Sequence, residues 1–191
     1  MKNIFLCMLC GLTALGITSC GNRAAQNSPE TRAAAEAPME IDALLAAADS
    51  LAGHEVWIEG VCTHTCKHGA RKIFLMGSDD TKVIRVESGE LGHFDPQCVN
   101  RVVRVRGTLR EERIDEAYLA RWEASVAAKT DEKHGETEAG CDTEKNARGE
   151  TAATVEERIA DFRARIAERK AACGKEYLSF YYVEAASYEM E

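Results

Sequence analysis

After Gly53 the chain alternates apolar and polar residues in short runs, and before it and late in the chain the apolar spacing is helical. Ile41, Leu44, Leu45, Ala48 and Leu51 recur at helical intervals and Ala52-Gly53 ends the run, which predicts a helix of about three turns. HEVWIEGV then alternates Val56, Ile58 and Val61 with polar neighbours. RKIFLMG and TKVIRVE follow, separated by Ser78-Asp79-Asp80, and NRVVRVRGTL repeats Val102, Val103, Val105 and Leu109. A last strand is read in EYLSFYYVEAASYEM, where Leu178, Phe180 and Tyr182 alternate and Tyr181 and Val183 favour extended backbone.

Between the fourth and fifth strands the period changes. ARWEASVAAK is helical, TDEKHGETEAGCDTEKNARGE is polar and Gly-containing, and TVEERIADFRARIAERKAACGK is helical again, so residues 111–175 read as a helical hairpin. Val155, Ile159, Phe162, Ile166 and Cys173 form a narrow apolar stripe, and Ile114, Tyr118, Trp122 and Val126 supply a partner stripe. Five short strands with a leading helix and a long excursion fit a mainly β protein with helical additions: a five-stranded OB-fold barrel. Strands 1 to 4 with their leading helix occupy residues 40–110, and the final strand occupies 176–191.

The first residues are of another kind. Lys2 precedes an apolar run from Ile4 to Ile17 that is too short to span a bilayer, and the run ends in Ile17-Thr18-Ser19-Cys20. This resembles the lipobox of bacterial lipoproteins, which implies removal of residues 1–19 as a signal peptide and acylation of Cys20, with palmitate-type chains holding the protein at a membrane. Residues 20–39 are small and polar, hold two of the three prolines, and read as a flexible tether. No acidic run follows Cys20, so the expected location is the bacterial cell envelope, lipid-anchored at the periplasmic face of the outer membrane.

Taken together, the leading helix, HEVWIEGVCTHTCKHGARKIFLMGSDDTKVIRVE, FDPQCVNRVVRVRGTL and the terminal YYVEAASYE resemble the OB-fold lipoproteins of Bacteroidetes-type bacteria, of the anticodon-binding-like group. The resemblance covers residues 40–110 and 176–189, about half the chain, and implies no established activity.

Charge and cysteine content narrow the chemistry. The formal net charge is -8, which argues against binding phosphate backbones, although Arg71, Lys72, Lys82, Arg85, Arg101, Arg104 and Arg106 fall in the barrel strands and loops and Phe74 would stack a base if it faced outward. Nucleic acid is therefore an unexpected partner, and oligonucleotide or oligosaccharide binding is an alternative. Of eight cysteines, Cys7 and Cys10 leave with the signal and Cys20 carries lipid. Cys62, Cys66, Cys98, Cys141 and Cys173 remain, an odd number for an oxidising compartment.

The densest chemistry lies in VCTHTCKHG, where Cys62, His64, Cys66 and His68 occupy alternate positions. On an ideal strand they would spread over about 20 Å, at roughly 3.3 Å per residue, too far for one ion. A strand ending near Val61, with Gly69 in a tight turn, would let them converge. In an OB barrel the loop between strands 1 and 2 flanks the ligand face together with the loop between strands 4 and 5. Cys173 sits at the base of the latter, so the site is read as Cys62, Cys66 and either His64 or His68, with Cys173 as a candidate fourth donor, whereas Cys141 falls near the tip.

Thiolate-rich donors suit zinc or copper(I). Three readings stay open: a metal site, a Cys62–Cys66 disulfide or redox pair in which Lys67 and His68 favour the thiolate, and purely structural residues. His54 and His93 are isolated, no paired-carboxylate, phosphate-loop or Ser/His/Asp pattern emerges, and catalysis is not expected. The expected role is a membrane-anchored binding module for a transition metal or small ligand, with a protein partner gripping the hairpin.

Overall fold

The alternation after Gly53 becomes a closed sheet. The computed structural model of the protein describes residues 37–67, 69–128 and 142–191. A two-residue strand β1 (Met39–Glu40) precedes β2 (Glu55–Thr65), β3 (Lys72–Met76), β4 (Val83–Glu87), β5 (Val102–Asp115) and β6 (Tyr177–Met190). β2, β3 and β4 form an antiparallel meander; β4 runs parallel to β6, β6 antiparallel to β5, and β5 antiparallel to β2. These pairings close a five-stranded OB-like barrel, with β1 added outside the ring as a parallel partner of β2.

Period-two alternation fills the barrel. Val56, Ile58 and Cys62 of β2, Ile73 and Leu75 of β3, and Val103, Val105 and Leu109 of β5 all point inward and are buried in one cluster. One helix is predicted before the sheet, and two short ones occur, α1 (Ile41–Ala46) and α2 (Ala48–Leu51), broken at Ala47. Ile41, Leu44 and Ala48 enter the same core. The approach of α1 depends on Gly60, where a Cβ would lie 2.8 Å from Ile41 Cγ1 and 2.9 Å from the Met76 carbonyl oxygen.

The fourth barrel strand outruns its sequence reading. It continues past 110 to Asp115 because β6 pairs with it along its whole length, from Val103↔Met190 to Asp115↔Tyr177. β2 stops pairing at Glu55↔Thr108 and β4 at Arg85↔Tyr182, so beyond Arg110 the ribbon of β5 and β6 leaves the barrel. Two helices, α3 (Glu116–Ala127) and α5 (Val155–Cys173), cover that ribbon and bury a second core of Ile114, Leu119, Ile159, Phe162 and Leu178.

The apolar stripe read from the sequence supplies Ile159 and Phe162 fully and Val155 and Ile166 partly. Leu119 lies outside that reading, and Cys173 is exposed rather than part of the seam. Local signals set the limits of α5. The Thr154 hydroxyl accepts from the Glu157 N–H, the Glu157 carboxylate accepts from the Thr154 N–H, and Gly174 at φ 75 ends the helix.

The polar stretch between those helices ends in a further short helix, α4 (Asp142–Ala147). Among the described residues no helix is long and apolar enough to cross a membrane. Cys20 and the signal and tether segments up to residue 36 lie outside the described residues, as do His68 and Cys141.

Candidate functional site

The Cys/His stretch turns on one inserted residue. β2 pairs Cys62 with Leu75 and then His64 with Phe74, leaving Thr63 as a β-bulge. Because strand side chains alternate faces, one extra residue inverts everything after it. Cys62 therefore points into the barrel, fully buried, while His64 turns to the outer surface and packs its ring on Phe74 with centroids 5.8 Å apart. The strand runs on through Thr65 instead of ending near Val61. Its turn comes later, where Cys66 donates its N–H to the Lys72 carbonyl at 2.9 Å, Ala70 donates to the Cys66 carbonyl at 3.1 Å, and Gly69 and Ala70 take φ of 75 and 49.

The expected donors are thus dispersed. Cys62 belongs to the core, His64 is half-buried on the outer face, Cys66 is half-buried at the mouth of the hairpin, and Cys173 is exposed, its thiol donating to the Arg169 carbonyl of its own helix at 3.3 Å. Among the described residues no three His, Cys, Asp or Glu side chains are grouped to hold a metal ion. No disulfide joins Cys62 to Cys66, or any two of the four described cysteines, in this structure. Burial raises the Cys62 thiol above its ordinary pKa, which opposes a reactive thiolate there. Burial, with Lys67 nearby, lowers His64 and keeps its imidazole neutral.

The other side of this hairpin carries the organised chemistry. The outer face of β3 and β4 presents Phe74 and Arg85, and it is covered by α4 and the early part of β6. Phe74 is 1% exposed, so it stacks against its own chain and is not open to a base. Between these elements a cavity of about 160 Å³ is lined by apolar Phe74, Val83 and Ile84 and by polar Arg85, Glu144 and Tyr181.

Arg85 anchors the cover. Its guanidinium donates to Glu144 of α4 at 2.5 Å and to Glu112 of β5 at 3.2 Å, meets Glu87 at 3.3 Å, and lies 4.8 Å from the Tyr182 ring centre. Arg148, just after α4, donates to Glu112 at 2.6 Å and to Glu144 at 3.3 Å, and Lys72 reaches Glu144 at 3.5 Å. Burial works against the Glu144 carboxylate, but Arg148, Lys72 and Arg85 outweigh it and hold its pKa at about 2. Burial likewise opposes the Arg85 charge and is overcome by Glu144, Glu87 and Glu112, so the arginine stays fully ionised. Tyr181 is pushed up to about 12 by burial and by the Asp49 carboxylate that accepts its hydroxyl, so it stays neutral, its one proton held by Asp49 and its oxygen left as an acceptor.

Two features of this region escape a reading by motif. Glu144 sits in a polar stretch with no apolar period, and nothing local tells that it will find Arg85, 59 residues earlier in the chain. Cys98 is likewise unremarkable in sequence, yet its thiol lies in the barrel core beside Cys62 and is pushed up to about 11 by burial and by that neighbouring thiol. Comparison of the chain with protein-family models, with curated proteins and with solved structures found no match.

Proposed function

We propose that the protein is a lipid-anchored binding module of the bacterial envelope, tethered through Cys20, whose OB-like barrel takes a small molecule at the cavity between β3, β4, β6 and α4. The observation that carries this reading is the cavity itself, which lies on the face of β3 and β4 and is walled by α4, part of the excursion between the last two strands that OB barrels use for ligands. Its volume of about 160 Å³ suits a ligand of benzene-like size and is far too small for an oligonucleotide strand. Phe74, Val83 and Ile84 offer apolar contact, and the Tyr181 hydroxyl and the arginine pair offer polar contact. Arg85 and Arg148 are balanced by Glu144 and Glu112, so the site favours a neutral or zwitterionic molecule over a polyanion.

This places the ligand on the opposite side of the hairpin from the Cys62 thiol. The test is native mass spectrometry of the full chain taken gently from membranes, beside an Ala147→Trp variant that fills the cavity. The expected result is a small bound mass on the wild type that is absent from the variant, with an acylated N-terminus at Cys20. A wild type carrying no added mass, and a variant with an unchanged melting temperature in membrane extract, would remove the reading.

A further inference from the structure

We infer that Cys62 and Cys98 close a disulfide across the barrel core when the protein folds in an oxidising compartment. The bond takes its oxidant from the proposed export and its placement from the turn that follows Cys98, which is hydrogen-bonded to Cys62. Cys98 opens a tight turn: Arg101 donates its N–H to the Cys98 carbonyl at 3.0 Å, Val99 has φ -60 and ψ 132, and Asn100 has φ 64. That is a type II turn with Asn at the position requiring positive φ. The turn is clipped to Cys62 on both sides. Asn100 donates to the Cys62 carbonyl at 2.8 Å, and the Cys62 N–H donates to the Arg101 carbonyl at 2.9 Å.

Both side chains leave these joined backbones toward the same interior, both are 0% exposed, and both belong to the barrel core cluster. Cys66, the partner suggested by sequence proximity, lies beyond the Thr63 bulge in the hairpin and is half-buried. Cys98 Sγ lies 3.3 Å from Met190 Sδ, at the end of β6.

The oxidant is a disulfide donor, either an oxidised dithiol protein or oxidised glutathione. As the chain folds, before the barrel closes over it, the Cys98 thiolate attacks one donor sulfur, forming a mixed disulfide and expelling a donor thiolate. The Cys62 sulfur then attacks Cys98 Sγ, forming the internal bond and expelling the second donor thiolate. The two cysteine protons end on the two donor thiols, so the chain is oxidised by two electrons and the donor reduced by two. The bond ties β2 to the turn before β5 and encloses β3 and β4, which form the floor of the proposed ligand cavity.

The experiment blocks free thiols in intact cells, purifies the full chain and maps its peptides without reduction. A Cys62–Cys98 cross-linked pair, two hydrogens lighter than the separate peptides, with Cys66 and Cys173 alkylated, is expected. Cys62 and Cys98 both alkylated in a chain whose N-terminus is acylated Cys20 would overturn the disulfide and leave the anchor reading standing; a Cys62–Cys66 link would overturn it equally. If the chain instead retains Met1, the export reading fails and refolding in a glutathione redox buffer decides. A Cys62–Cys98 link formed there supports the pairing, and free or scrambled thiols overturn it. Cys98→Ser should leave Cys62 fully alkylated after unfolding.

Discussion

Glu144 accepts a hydrogen bond from Arg85 at 2.5 Å, joining a six-residue helix to the outer face of β4. That helix is too short to hold itself in water, so its place over the cavity depends on this contact and on those of Arg148 and Lys72 with the same carboxylate. Glu144→Gln keeps the shape and removes the charge. It should loosen α4 by on the order of 2 kcal/mol, read as faster amide exchange at residues 142–147 while the barrel amides keep their protection.

The same carboxylate sets a pH window. Its folded pKa of about 2 lies below the ordinary 4.5, so its stabilisation is complete above the ordinary value and is lost as pH falls from about 4.5 toward 2. Exchange at α4 should therefore be flat from neutral pH to about 5 and rise below 4.5, once corrected for intrinsic rates. The Gln variant should show no such step.

Two cores on one ribbon should fail separately. Phe162 is fully buried among Ile114, Leu119, Ile159 and Leu178, outside the barrel cluster. Phe162→Ala should cost about 3 to 5 kcal/mol in the helical part. In denaturant, exchange protection in α5 should be lost at lower concentration than protection in β2 and β3; simultaneous loss would show one cooperative unit.

Gly107 sits where the β5–β6 register shifts, and a Cβ there would lie 2.3 Å from the Glu184 carbonyl oxygen. The Glu184 backbone and the Val183 side chain leave little room to yield. Gly107→Ala should destabilise the barrel by on the order of 2 to 3 kcal/mol, measured as a lower urea midpoint.

Single-stranded oligonucleotide should not be retarded by the protein at about 0.15 M salt, because Phe74 is covered and Arg85 is held by three carboxylates. A gel shift that weakens steeply with salt would show that the strand face opens and would return this barrel to nucleic-acid binding.

The elements of the fold were legible where the signal is local. Alternation in HEVWIEGV and NRVVRVRGTL marked strands, the apolar stripe of Val155, Ile159, Phe162 and Ile166 marked a helix, and Gly69 marked the hairpin turn. The candidate site was less legible. The even spacing of Cys62, His64 and Cys66 suggested one shared face, and the Thr63 bulge placed the first inside and the second outside.

Local pattern alone was enough for the strands of the barrel, for α3 and α5 between its last two strands and for the segments that fill its core, because side-chain period and turn chemistry act over a few neighbouring residues. Tertiary structure decided which cysteines are neighbours, how far β5 runs, and that Glu144 covers Arg85. Those outcomes depend on strand register and on contacts between residues dozens of positions apart, where a single inserted residue inverts a face and no local pattern records the partner.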